Sequence, residues 1–160
     1  YTGVATTTIT GLDHLEGESV VALANGSYVS PKTVAGGQIT LPVAATVAHV
    51  GKAYTGTIQT MRPEIPLRDG TIQGKVKKIN SGHVRVYRAG PFKVGRDEDN
   101  LDECFDKERI LTMGAPYPLF TGDVPFSFDD AHNKEGRVMI VQDKPMPLTV
   151  VGLMQDISIT

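Results

Sequence analysis

Apolar and polar residues alternate in short runs along the first sixty positions. "VATTTIT" (residues 4–10), "SVVALA" (19–24), "SYVS" (27–30), "GGQITL" (36–41), "ATVAHVG" (45–51) and "AYTGTIQTM" (53–61) approximate the period of two of a β-strand, which sets successive side chains on opposite faces. Gly, Pro or Asn separates the runs. Asn25-Gly26 is the strongest break, because both residue types accept positive φ and so suit the two-residue turn of a hairpin. No helical period appears. Strands of this length and spacing predict a small β-barrel or sandwich over residues 1–62.

"MRPEIPLRDG" (61–70) interrupts the pattern with two prolines and a closing Asp-Gly, and predicts a linker over residues 63–70. Alternation then returns. "TIQGKVKKI" (71–79) and "GHVRVYRAG" (82–90) are expected as two strands. "RDEDNLDECFDKER" (96–109) is expected as a short helix or an exposed acidic loop. "GAPYPLFTGDVPFSF" (114–128), with three prolines, reads as extended chain at a sheet edge. Residues 137–142 and 148–159 are two strong strands split by "DKPMP", and "DDAHNKEGR" (129–137) is a hairpin tip or a docking loop. The expected fold is mainly β: the small barrel or sandwich, then a second antiparallel β module over 71–160, with at most one short helix. "KVKK", "RVYR" and "KPMP" are expected to guard strand edges against pairing with other chains.

Composition narrows the picture. With 40% hydrophobic residues, no Trp and few aromatics, the core must rest on Val, Ile and Leu. A net charge of −2 leaves no basic footprint for nucleic acid or for a membrane face. No apolar run is long enough to span a bilayer, so no membrane insertion is expected. One cysteine, Cys104, forbids an internal disulfide and suits cytoplasmic synthesis. The chain opens at Tyr1, in mid-pattern and without Met, as a piece of a longer protein would.

Candidate chemistry is thin. His14, His49, His83 and His132 show no metal-ligand spacing with one another or with Cys104, and are read as structural or solvated. Cys104 lies among Asp102, Glu103 and Asp106, which disfavour a thiolate, so it is read as a small buried hydrophobe. The cluster Asp97, Glu98, Asp99, Asp102, Glu103 and Asp106 resembles a calcium loop through Asp97, Asp99 and Glu108. The sixth position, where such a loop needs Gly, is Asp102, so a solvated loop is expected. No nucleophile elbow or phosphate-binding loop is present. Asp123, Asp129, Asp130 and Glu135 are the carboxylates from which a glycan hydrolase would draw its pair. No catalytic, cofactor-binding or metal site is expected, and no cofactor.

The residues do carry a resemblance. "GLDHLEGESVVALANGSYVSPKTVAGGQITLP" followed by "ATVAHVGKAYTGTIQTM" resembles a module of tail proteins from short-tailed bacteriophages and prophages, one likened to the β-barrel half-domain of ubiquitin-activating enzymes. "KVKKINSGHVRVYRAGPFKVG" and "PLFTGDVPFSFDDAHNKEGRVMIVQDKPMPLTVVGLMQDISI" are similar to the same family's downstream part. The resemblance covers residues 12–159 and is most specific at 12–17 and 142–153. It implies the C-terminal portion of a nozzle or tail tubular protein, made in the bacterial cytoplasm and located in the virion tail. Copies would form a ring beside neighbouring tail or adaptor proteins, and DNA would pass non-specifically through the lumen. From its charge alone, the acidic stretch 97–106 is a candidate lining that would prevent sticking. The likeness to ubiquitin-activating enzymes is one of fold, and Cys104 lies outside that module. Two other readings are a β-rich module that binds a host-surface glycan or a fibre protein through residues 122–134, and a cell-wall hydrolase.

Overall fold

The structure, a computed structural model, describes residues 1–68, 70–104, 115–128 and 134–159. Among them are three antiparallel sheets, a two-stranded ribbon and a single 3-10 turn, Asp13–Leu15. The chain is mainly β, as its alternation predicts. It forms two compact units. The described part of the first is residues 1–55, 115–118 and 143–145, and that of the second is residues 56–68, 70–104, 119–128, 134–142 and 146–159.

The first unit holds β1 (Thr2–Thr10), β2 (Ser19–Ala24), β3 (Ser27–Thr33) and β4 (Gln38–Lys52), in the sheet order β1-β4-β2-β3. No barrel closes, since β1 and β3 are the two outer strands and do not pair. "GGQITL" and "ATVAHVG", expected as separate strands, belong to one 15-residue strand, β4. Residues 38–47 run along β1 and the last five residues pair with β2. Pro42 survives mid-strand because the register jumps there: Thr8 faces Thr40 but Thr6 faces Ala45, so the proline sits in a bulge and owes no ladder hydrogen bond. Buried positions on β4 run Ile39, Leu41, Ala45 and then Ala48, a change of phase between 45 and 48. The inner faces of both halves thereby reach one core with Ile9, Val20, Val29 and Val34.

Two turns of positive φ are each fastened by a distant side chain. Asn25 (φ 47) and Gly26 (φ 80) close the β2–β3 hairpin. The Asn25 Oδ1 accepts from Thr46 N at 3.1 Å and Val47 N at 3.0 Å, at the phase change of β4. Gly36 (φ 61) and Gly37 (φ 66) turn the chain into β4, and the Glu16 carboxylate accepts from both of their amides. The stretch "GLDHLEGE" is thus a clasp, with Leu12 buried beneath it and Leu12 N donating to Gly37 O.

The second unit is a sandwich of two antiparallel sheets sharing one core. One sheet runs β10-β9-β12-β5, from Leu101–Cys104 (β10), Phe92–Gly95 (β9), Met139–Gln142 (β12) and Gly56–Gln59 (β5). The other runs β11-β8-β13, from Phe120–Ser127 (β11), Lys77–Ala89 (β8) and Val150–Ile159 (β13). Val84, Val86, Val124 and Phe126 of one sheet meet Phe92, Val94, Cys104 and Ile140 of the other. β5 lies in the stretch that the pattern assigned to the first module, yet it pairs with β12 here. Within the expected linker, Pro66–Leu67 (β6) pairs with Gly70–Thr71 (β7).

Three local expectations need correction. Residues 71–90 are not two strands: after β7 comes a turn, and β8 then runs unbroken from 77 to 89 through Ser81-Gly82. Gly82 is close-packed rather than a turn glycine. A Cβ there would collide with the Met154 carbonyl and the Phe126 ring. The acidic stretch opens as a hairpin, with β10 returning along β9, because Asp97 Oδ1 accepts from the amides of Asp99 (3.2 Å) and Asn100 (3.0 Å) and so shapes the turn. Its end, residues 105–109, lies outside the described residues. Finally, the proposed edge guards are not on outer strands. Lys77 and Lys78 of "KVKK" open β8, paired there with β13, "RVYR" lies further along β8 between β11 and β13, and "KPMP" lies outside any strand. Lys77 is 1% exposed and its Nζ donates to Lys134 O at 2.9 Å.

Candidate interaction surface

The titratable residues singled out in the sequence are scattered. His14 on the 3-10 turn, His49 on β4 and His83 on β8 are each exposed on a separate element. Cys104 is buried in the core of the second unit. His132, Asp106, Glu108, Asp129 and Asp130 lie outside the described residues. Among the described residues, no three of His, Cys, Asp and Glu come together to hold a metal ion. Asp97 turns inward on its own hairpin, where the Asn100 amide group and the Arg96 guanidinium hold its carboxyl below the usual range.

The two described hydrolase candidates are bound to cations. Asp123 receives two hydrogen bonds from Arg85, at 2.7 and 2.8 Å, across the β8–β11 pair. Glu135 receives two from Arg62, at 2.7 and 2.5 Å, with Arg137 at 3.2 Å. These bonds lower both carboxyl pKa values. A glycosidase acid needs a raised one. Neither residue is set up to donate a proton at neutral pH.

The strand edges differ among themselves, and the difference is chemical. β3 carries Pro31 and Lys32, β10 carries Asp102 and Glu103, and β11 carries Asp123 and Pro125. Charges and prolines of this kind keep an edge from templating a foreign strand. β5 is an edge of only four residues. β1 has none of these protections and β13 has a single charge. β1, "TGVATTTIT", is a nine-residue outer strand with no charge and no proline, and Val4 on it is 86% exposed. β13, "VVGLMQDISI", is a ten-residue outer strand whose only charge is Asp156. Val151 and Met154 on it are exposed, and Leu153 and Ile157 are only partly covered by the core.

The outer face beside β13 continues this surface. Pro125, His83 and Met154 form one row across the three strands, and Asp123, Arg85 and Gly152 the next. Tyr87 is exposed further along β8. Pro125 and Met154 beside an exposed Tyr87 and a two-pronged Arg–Asp pair have the mixed composition of a contact surface with fixed polar geometry. Single-sequence reading missed it because the edge status of a strand is a property of topology.

No protein-family model matches the chain, and no curated protein matches it. Among the described residues, no helix is long and apolar enough to cross a membrane.

Proposed function

We propose that this chain is a structural part of a bacteriophage tail, of the nozzle or tail tubular type, in which copies close into a ring around a DNA passage. The observation that carries the reading is the pair of outer strands with little or no guarding, β1 without charge or proline and β13 with Asp156 alone, on a chain whose other long edges carry proline together with charge. An unprotected edge exposes a row of backbone donors and acceptors, a hazard for a lone molecule and an asset for one that meets neighbours. The sequence resemblance supplies the context of a tail. Work of this kind needs stiffness and complementary surfaces, and no bond-making.

DNA would pass through the lumen without base-specific contact. Glu98, Asp99, Asp102 and Glu103, exposed on the β9–β10 hairpin, suit a wall that repels phosphate. The protein would be made in the host cytoplasm and end in the virion, beside other tail or adaptor proteins.

Negative-stain electron microscopy of the protein is expected to show closed rings. Val4→Lys combined with Met154→Lys, both at exposed positions, is expected to leave the fold intact and dissolve the rings. Wild-type particles that stay single copies at every concentration would remove the reading. Charge reversal of Glu98, Asp99 and Asp102 is expected to retard DNA passage, and unchanged delivery would detach the acidic hairpin from the lumen.

A further inference from the structure

We propose that Asn25-Gly26 is a latent site of hydrolytic modification that the fold holds shut. Asn-Gly is chemically exposed, because glycine has no side chain to shield its amide nitrogen from the preceding side-chain amide. The reaction consumes water and releases ammonia. Gly26 N loses its proton and bonds to Asn25 Cγ, the Cγ–Nδ2 bond breaks, and ammonia leaves a cyclic imide. Water then adds to one of the imide carbonyl carbons and that C–N bond breaks, giving aspartate or isoaspartate. No electrons change hands. Asn25 is exposed, so water reaches it freely.

Geometry opposes the first step. Ring closure requires the Asn25 side chain to swing over the Gly26 nitrogen. Its Oδ1 is held instead against β4 by Thr46 N (3.1 Å), Thr46 Oγ1 (3.1 Å) and Val47 N (3.0 Å). The swing breaks all three bonds and strips two backbone N–H groups of their acceptor. The backbone is pinned as well. Asn25 N donates to Val47 O at 2.8 Å, and Gly26 O accepts from Tyr117 N at 3.3 Å. Pro116 covers Gly26 so closely that a Cβ there would lie 3.0 Å from the proline Cβ.

The two products differ in their fit. A carboxylate at position 25 offers an oxygen to the same three donors, with added charge. Isoaspartate lengthens the main chain by a methylene, which the two-residue turn cannot hold. The Thr46–Val47 cradle therefore protects the amide and tolerates its acid, and reserves damage for molecules whose β4 contact has opened.

The test incubates the full chain at mildly alkaline pH, native and in concentrated guanidinium. Conversion at position 25 is followed by peptide mass mapping and isoaspartate assay. Native conversion is expected to be at least ~10-fold slower than denatured, as an opening cost above about 1.4 kcal/mol requires. Thr46→Val is expected to fall between the two. A native rate equal to the denatured one, or a Thr46→Val rate no faster than wild type, overturns the proposal. Should Thr46→Val not fold, thermal unfolding of two other variants decides. Asn25→Asp at the wild-type midpoint supports the cradle, and a loss as large as that of Asn25→Ala overturns it.

Discussion

Glu16 and Gly37 stand 21 residues apart, and the Gly37 amide donates to Glu16 Oε2 at 2.7 Å. The second oxygen takes the Gly36 amide at 2.9 Å. Both glycines have positive φ, so their amides project to one side of the turn, where a carboxylate meets them together. The bond from Gly37, then that from Gly36, keeps the Glu16 carboxyl below its ordinary value of 4.5. A depressed carboxylate stabilises the fold at pH above its unfolded value, and that stability is lost as pH falls through the folded value. Thermal midpoints of the wild type should therefore fall as pH drops below about 4.5. In Glu16→Gln, that acid-side decline should be shallower, and the midpoint at neutral pH should be lower. Glu16→Ala should lose more than Glu16→Gln. An identical pH profile in wild type and Glu16→Gln would mean the clasp contributes nothing.

The β character, the Asn25-Gly26 hairpin and the buried Cys104 were all legible in the sequence, because each is a local signal: alternation, a turn dipeptide, a small residue beside charges. What was hidden depends on which strands become neighbours. Lys77 and Arg85 read as edge guards, yet Lys77 is buried with its ammonium on the Lys134 carbonyl, and Arg85, flanked by β11 and β13, is a cross-strand partner of Asp123. The outer positions of β1 and β13 were likewise invisible, since Thr-rich or Val-rich strands read alike at an edge or in a centre. The phase changes at 45–48 on β4 and near Arg88 on β8 also escape a period-two count, which assumes unbroken strands.

Arg88 has φ 48, in the left-handed region that a side chain disfavours. The register with β11 shifts across it, between Phe120, opposite Ala89, and Gly122, opposite Val86. The residue is exposed, and Arg88 N donates to Thr121 Oγ1 at 3.0 Å, which glycine would preserve. Arg88→Gly removes the Cβ strain but adds freedom to the unfolded chain. The strain term is the larger at such a φ, so a net gain of up to about 1 kcal/mol is expected in urea unfolding. A loss of stability would show that the guanidinium stem matters more than the backbone.

Gly82 tests close packing between β8 and its neighbours. An added methyl would meet the Met154 carbonyl, which is backbone and cannot rotate aside, and the Phe126 ring. Gly82→Ala is expected to cost about 1–3 kcal/mol through overpacking, although alanine is otherwise at least as good in a strand. Gly152→Ala, in the same sheet and with nothing within 4 Å of the added carbon, is the control and should be nearly neutral. Equal effects at both positions would contradict the packing described.

Lys77 separates the value of a buried stem from that of its charge. Its Nζ donates to Lys134 O at 2.9 Å and reaches Lys75 O at 3.4 Å, while its aliphatic chain is sealed beside Pro63 and Gly136. Lys77→Met keeps most of the stem and deletes the ammonium, leaving two carbonyls without that donor, a cost of about 1–3 kcal/mol. The loss is partly offset, because methionine needs no desolvation. Lys77→Ala deletes stem and ammonium together and opens a cavity, for about 2–5 kcal/mol. Packing should therefore decide the order, with methionine clearly the milder change in denaturant unfolding. If both variants lose the same amount, the ammonium's bonds to the carbonyls, and not the stem, hold residues 134–136 against β8.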